Sequence, residues 1–211
     1  MCGALTYRQS NYSFSDINPQ GEGDSMLSLP PNTDIRPSMT VPVVHNKDDD
    51  YRTLEFLYWG RQTPRLPKPL INARAETIDE KPTFENAFRD RRCIVAADGW
   101  YEWVDVGKPK KQRMFYEFPD RHVFYLAAIM GNGYHKIPKQ DKWERTAAVI
   151  IVTTGACGVV SDSGHHRQPV LLNTANANIW LDRSYAEAKQ LLETKDYDGL
   201  TIRAVNGPVA Y

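Results

Sequence analysis

CIVAADGWYEWV, residues 93–104, is the stretch that decides how the rest of the chain is read. It is followed by QRMFYEF (112–118) and VFYLAAIM (123–130), and all three runs are crowded with aromatic and β-branched side chains, which pack well on a pleated surface. Turn-forming segments, VGKPKK (106–111) and PDRH (119–122), separate them, so the three runs are expected to lie side by side in the middle of an antiparallel sheet. Upstream, TVPVVH (40–45) and the alternating YRTLEFLYWG (51–60) read as the two arms of a hairpin, with Asp48, Asp49 and Asp50 at a solvated tip. Downstream, the nearly continuous apolar run TAAVIIVTTGA (146–156) suits a central strand, QPVLL (168–172) a short one, and GLTIRAVNG (199–207) a closing strand and turn.

Helices are expected to be few and peripheral. In TFENAFRDRR (83–92) the apolar Phe84, Ala87 and Phe88 fall at helical spacing, with Thr83 as the cap, and NTANANIWLDRSYAEAKQLLET (173–194) reads as one or two helices. Residues 8–40 hold NPQGEGD and LPPNTD and are expected to be loops around at most a short helix; CGVVSDSGHHR (157–167) is a polar, glycine-rich connection. Neither repeats nor linkers interrupt the pattern. The sequence therefore predicts an α+β fold in a single domain over residues 1–211: a mostly antiparallel, partly barrel-like sheet with peripheral helices.

Composition narrows the classes of partner. Lysine and arginine total 26, as do aspartate and glutamate, so no global field draws the protein to polyanions and any such site must be a local patch. The three cysteines, Cys2, Cys93 and Cys157, are an odd number without CxxC spacing, which points away from a disulfide framework or a structural zinc site and towards a reducing compartment. No stretch approaches the ~20 apolar residues of a membrane span and no targeting segment is visible. The expectation is a cytoplasmic protein with no membrane partner.

Four stretches carry chemistry: MCG (1–3), LINARAET (70–77), DGWYEW (98–103) and GHHRQP (164–169). Each has a bland explanation. Glu102, between Tyr101 and Trp103 on an alternating strand, could face water, and Asn72 could satisfy a turn. His165 and His166 should diverge on extended backbone and so not share a metal, and Cys93 and Cys157 border apolar runs as inert thiols. Together the four supply a thiol, an amide, a carboxyl and an imidazole, the groups that covalent carbonyl chemistry requires.

In this order, MCG, LINARAET, ADGWYEW and HHRQP resemble the SRAP family, the SOS-response-associated peptidase proteins that crosslink to abasic sites in single-stranded DNA. The resemblance implies that Met1 is removed and that the amine and thiol of the new N-terminal Cys2 close a thiazolidine on the aldehyde of an abasic sugar. It further implies that His165 opens the sugar ring, that Glu102 manages protons on the amine and the departing water, and that Asn72 holds the sugar oxygen or the amine. Gly3, Arg36, Pro37, Arg74 and Arg167 are the implied DNA contacts. The implied partner is single-stranded DNA with an abasic site, met by a monomer without metal or cofactor, in the cytoplasm or at a bacterial nucleoid. The chain departs from the family pattern where HHRQP replaces HDRMP-like sequences, where Ala4 replaces an arginine, and where Arg65 and Leu66 stand in place of a tryptophan pair. Two other readings are carried: a cysteine peptidase, acting on other proteins or only on its own Met1, with Cys2 as nucleophile, His165 as base and Asn72 or Glu102 orienting it; and a single-strand binder that lacks the reaction.

Overall fold

The computed structural model describes residues 2–8, 11–14, 17, 26–28, 31–48, 51–66, 68–107, 109–120, 122–136, 142–182 and 184–209. The chain begins with β1 (Ala4–Tyr7), β2 (Asn11–Ser13), β3 (Met26–Ser28) and β4 (Asn32–Ile35), then the hairpin of β5 (Thr40–Asp48) and β6 (Tyr51–Trp59). A short β7 (Asn72–Arg74) and α1 (Glu85–Asp90) precede β8 (Arg92–Ala97), β9 (Gly99–Val104) and β10 (Gln112–Glu117). Two long strands follow, β11 (Phe124–Lys136) and β12 (Trp143–Gly155), then α2 (Gly158–Asp162), β13 (Arg167–Pro169) and β14 (Leu171–Leu172). The chain finishes with α3 (Thr174–Asp182), α4 (Tyr185–Gln190) and β15 (Thr201–Val205).

Five strands close on themselves. β12 pairs with β6, β6 with β5, β5 with β8, β8 with β11, and β11 returns to β12. Only the β6–β12 contact in this ring is parallel. β7 and β13 extend from β12, and β14 from β11. Closure removes the exposed edges that an open sheet of these strands would present. The second sheet runs β15-β10-β9-β1-β4, with neighbours antiparallel, so the start of the chain forms an interior strand between β9 and β4. Leu5, Trp100 and Tyr116 of that sheet share one apolar core with Trp59, Ile94, Leu126 and Ile151 of the barrel.

The run 93–104, expected as one strand, is two strands in different sheets. The break falls at the fully buried Asp98, whose carboxylate accepts from Thr6 Oγ1 at 2.5 Å, from the Arg8 backbone N–H at 2.6 Å and from Arg8 Nε at 3.2 Å. Its own N–H donates to the Thr6 carbonyl. At Gly99 a Cβ would lie 2.4 Å from the Phe115 ring, so glycine alone lets the chain turn the corner. Asp98 thus ties the barrel to β1, and Arg8 passes the linkage on through Glu117 to Arg203.

Other expectations need correction. Residues 8–40 contain β2, β3 and β4 among their described parts, because β4 finds a partner in β1 that no local pattern announces. Thr83 does not cap α1: the cap position is Phe84, which has no side-chain capping bond. The connection 157–167 includes the short helix α2. The β5–β6 hairpin is present; Asp49 and Asp50 lie outside the described residues, and Asp48 ends β5.

Candidate active site

β1 brings the chain's start to the site. Its pairing with β9 sets Ala4 opposite Tyr101 and continues outward through the Gly3 N–H, which donates to the Tyr101 carbonyl at 3.1 Å. Cys2 is carried alongside Glu102 and is wholly buried. Burial first, and then the Glu102 carboxyl, pushes the Cys2 thiol well above its ordinary pKa. A thiol so placed is neutral at physiological pH.

Asn72 arrives from β7, which hangs on the barrel strand β12 with Asn72 opposite Ile151. Its Nδ2 donates to the Cys2 carbonyl at 3.4 Å, while its Oδ1, buried, has no hydrogen-bond partner among the described residues. A buried amide oxygen left without a donor is costly and suits a site awaiting one. Glu102 comes from the middle of β9, paired with Met114 of β10. It faces inward, not towards water, its side chain 1% exposed.

His165 follows α2. The helix ends at Gly164, whose φ of 86° is left-handed and whose Cβ, if present, would lie 3.1 Å from the Val104 side chain. Glycine therefore permits both the turn and its close seat on β9. Beyond it, His165 Nδ1 lies 2.6 Å from the Arg167 carbonyl. A carbonyl only accepts, so Nδ1 carries the hydrogen and Nε2 is the acceptor. Nε2 sits 3.4 Å from Glu102 Oε2.

By distance this is an ion pair, yet the protonation tendencies of both partners oppose one. Burial raises the Glu102 pKa to about 8 and lowers that of His165 to about 4. Desolvation acts on both groups in the direction that neutralises them, and we take the pair as a carboxylic acid facing a neutral imidazole. The environments have exchanged the usual order of acid and base strength. His166, expected to diverge from His165, instead stacks beside it, the ring centroids 5.3 Å apart, because the two residues lie in a turn and not on a strand.

The cationic residues divide. Arg74 is exposed and makes no hydrogen bond or ion pair among the described residues. Arg167 is engaged: its guanidinium meets Glu76 at 2.5 and 2.9 Å and the Thr153 carbonyl at 2.5 Å. Arg36 is exposed but forked onto Asp34. Burial pushes the Asp34 carboxyl up, yet Arg36 and Arg113 together hold its pKa below the ordinary value. Pro37 follows in a turn.

Arg36 also borders a cleft of about 740 Å³, with Trp103, Lys110, Lys111 and Arg113 on its walls. Arg113 lies over the Tyr101 and Trp103 rings, at 3.7 and 5.2 Å. The lysines come from VGKPKK, a divider between strands whose run of like charges also marks a cationic surface. Among the described residues no group of three or more potential metal ligands occurs. No described helix is long and apolar enough to cross a membrane.

A closed barrel with a second sheet, which together bring a buried cysteine near Asn72 and an acid–imidazole pair, places the chain in a β-rich class. The family model for SOS response associated peptidase (SRAP) matches residues 1–210, and the chain belongs to this family. Bacillus subtilis YoqW, named an abasic site processing protein, is 28% identical over 225 residues, 99% of this chain and 94% of its own. Escherichia coli YedK, of the same description, is 30% identical over 191 residues, 86% of this chain and 79% of its own. The crystal structure of a phage-related protein from Bordetella bronchiseptica shares the fold, with a TM-score of 0.75 at 24% identity over 98% of this chain and 95% of its own.

Proposed function

We propose that the chain, once it begins at Cys2, recognises abasic sites in single-stranded DNA and captures them as a thiazolidine. The observation that carries this is the Glu102–His165 pair at 3.4 Å beside a buried Cys2, with acid and base strengths exchanged. The relatives named for abasic site processing supply the substrate.

The chemistry follows from the protonation states. Neutral His165 Nε2 takes the C1′ hydroxyl proton as the C1′–O4′ bond breaks to give the aldehyde, and returns it to the O4′ oxygen of the opened sugar. The α-amino group of Cys2 attacks the aldehyde carbon to form a carbinolamine. Protonated Glu102 donates to the departing hydroxyl, water leaves, and the nitrogen returns a proton to the Glu102 carboxylate to leave an imine. The thiol then adds across the C=N bond, its proton passing to nitrogen, to close the five-membered ring. Asn72 Oδ1 is an acceptor in place for the amine or a sugar hydroxyl. The cleft beside Trp103 offers a cationic, aromatic path for the strand.

The peptidase reading requires a thiolate activated by His165. The raised thiol pKa and the engagement of His165 with Glu102 both weigh against that pairing. The test is a denaturing gel with protein confirmed to begin at Cys2 and DNA carrying one abasic site. A heat-stable shifted band is expected, absent with intact DNA and absent with Cys2→Ala. Wild-type protein that gives no band overturns the proposal.

A further inference from the structure

We infer that Tyr116 is a positioning residue, which through Ser163 fixes His165 at its distance from Glu102; the inference rests on the proposed capture of abasic sugars. Tyr116 lies on β10 opposite Trp100 of β9, wholly buried, its ring stacked on the indole at 4.9 Å and 10°. Trp100 and Glu102 are two residues apart on β9 and share one face of the sheet, so Tyr116 stands on that face too.

The phenol reaches past the sheet to α2. Its oxygen is 2.8 Å from Ser163 Oγ, and Ser163 Oγ itself donates to the Val160 carbonyl at 2.6 Å. With its one proton spent there, Ser163 accepts from the phenol. Burial, with the neighbouring Glu102 adding to it, raises the Tyr116 pKa to about 12, so this donor is not lost near neutrality. The chain of bonds runs in one direction, from Tyr116 to Ser163 to Val160, and ends inside the helix. Two residues on from Ser163 is His165. The sheet that carries Glu102, through the neighbouring strand β10, and the helix that precedes His165 are thus tied at a second point, through a hydroxyl pair that touches neither reacting atom.

Nothing in this arrangement needs the tyrosine hydroxyl for packing, because phenylalanine would keep the stack on Trp100. The hydroxyl therefore acts on the approach of His165 to Glu102. Tyr116→Phe is expected to slow crosslinking by about five- to tenfold, the scale of one buried hydrogen bond. The pH–rate profile should shift with it, because the spacing of acid and base has changed, while affinity for the DNA stays as in wild type.

The experiment measures crosslinking rates against pH and DNA affinity for wild type, Tyr116→Phe, Ser163→Ala and the double variant, all beginning at Cys2. Equal slowing in the two single variants with no further loss in the double one supports the inference. An unchanged rate and pH profile in Tyr116→Phe overturns it, as does a loss confined to thermal stability or DNA affinity. If Tyr116→Phe does not fold, the partly exposed Ser163→Ala decides by the same criteria. A small aldehyde with no hemiacetal form serves as a second substrate, and its rate should be unaffected by either substitution. Wild type inert towards abasic DNA would overturn the function proposed above, whereas a normal wild-type rate matched by the variants removes only the part given to Tyr116.

Discussion

His165 Nε2 faces Glu102 Oε2 across 3.4 Å, and burial of both groups favours the proton on the carboxyl. The chain arranges this by burying both groups, so each is neutral where a solvent-exposed pair would be ionised. The pair holds one transferable proton on an acid and one basic nitrogen.

That pair sets the pH dependence of capture. After division by the neutral fraction of the attacking amine, whose ordinary pKa is ~8, the rate should hold between the His165 value of about 4 and the Glu102 value of about 8, falling below the first as the imidazole protonates and above the second as the acid ionises. Single-turnover crosslinking across pH measures it. Glu102→Gln should lower the rate and abolish the alkaline limb; an alkaline limb that persists in this variant would assign it to another group.

Stability responds with a definite sign. Glu102 binds its proton more tightly folded than unfolded, so it stabilises the fold fully below its unfolded pKa, and this contribution is lost as pH rises through about 8. His165 behaves oppositely, its neutral folded form favouring stability above its unfolded value of about 6.5 and losing it as pH falls through about 4. Between ~4.5 and ~6.5 the two slopes oppose, and from ~6.5 to ~8 Glu102 acts alone. Comparing melting temperatures across the upper window, wild type should lose stability relative to Glu102→Gln as pH increases.

Much of the architecture was legible because the side-chain pattern and the final environment agreed. The β5–β6 hairpin alternates as a strand pair should, and the apolar run in β12 matches a strand with β11 on one side and β6, β7 and β13 completing its pairing. What escaped reading depends on partners distant in sequence. Asp98 looked like one polar residue within a strand, and only Thr6 and Arg8 make it a corner. α2 has too few apolar residues to show a period, being short and closed by Gly164. The four reactive residue types were visible at Cys2, Asn72, Glu102 and His165, but the inward direction of Glu102 shows only once the loop after α2 lays His165 against it. Tyr116 was hidden among the aromatics of QRMFYEF.

Replacing Asp98 with alanine should be among the most damaging substitutions. It would leave the Arg8 guanidinium buried with one fewer partner and untie β1 from the barrel, at a cost of about 3–5 kcal/mol. Chemical denaturation measures the loss.

Gly164→Ala should cost about 1–3 kcal/mol, since a left-handed backbone must then carry a Cβ pressed on Val104. Crosslinking should slow as well, because the strain is relieved most easily by moving the loop that presents His165. A melt together with a rate measurement separates the two effects.

The cleft beside Trp103 gives an electrostatic prediction. Lys110→Ala and Lys111→Ala should each weaken binding of single-stranded DNA irrespective of sequence and reduce the salt slope of log affinity by about 0.7. Titrations at several salt concentrations read this directly, and a slope equal to wild type would exclude the lysine from phosphate contact.

The interior place of β1 has a consequence for how the molecule is born. The first strand to leave the ribosome pairs with β9, almost a hundred residues later, and with β4 on its other side. Until both have emerged, Cys2 has no shelter and no acid beside it. In the finished fold the Cys2 side chain is wholly buried. Assembly order thus separates exposure from enclosure: the head of the chain is made first, and meets Glu102 only when its late-made partners have closed around it.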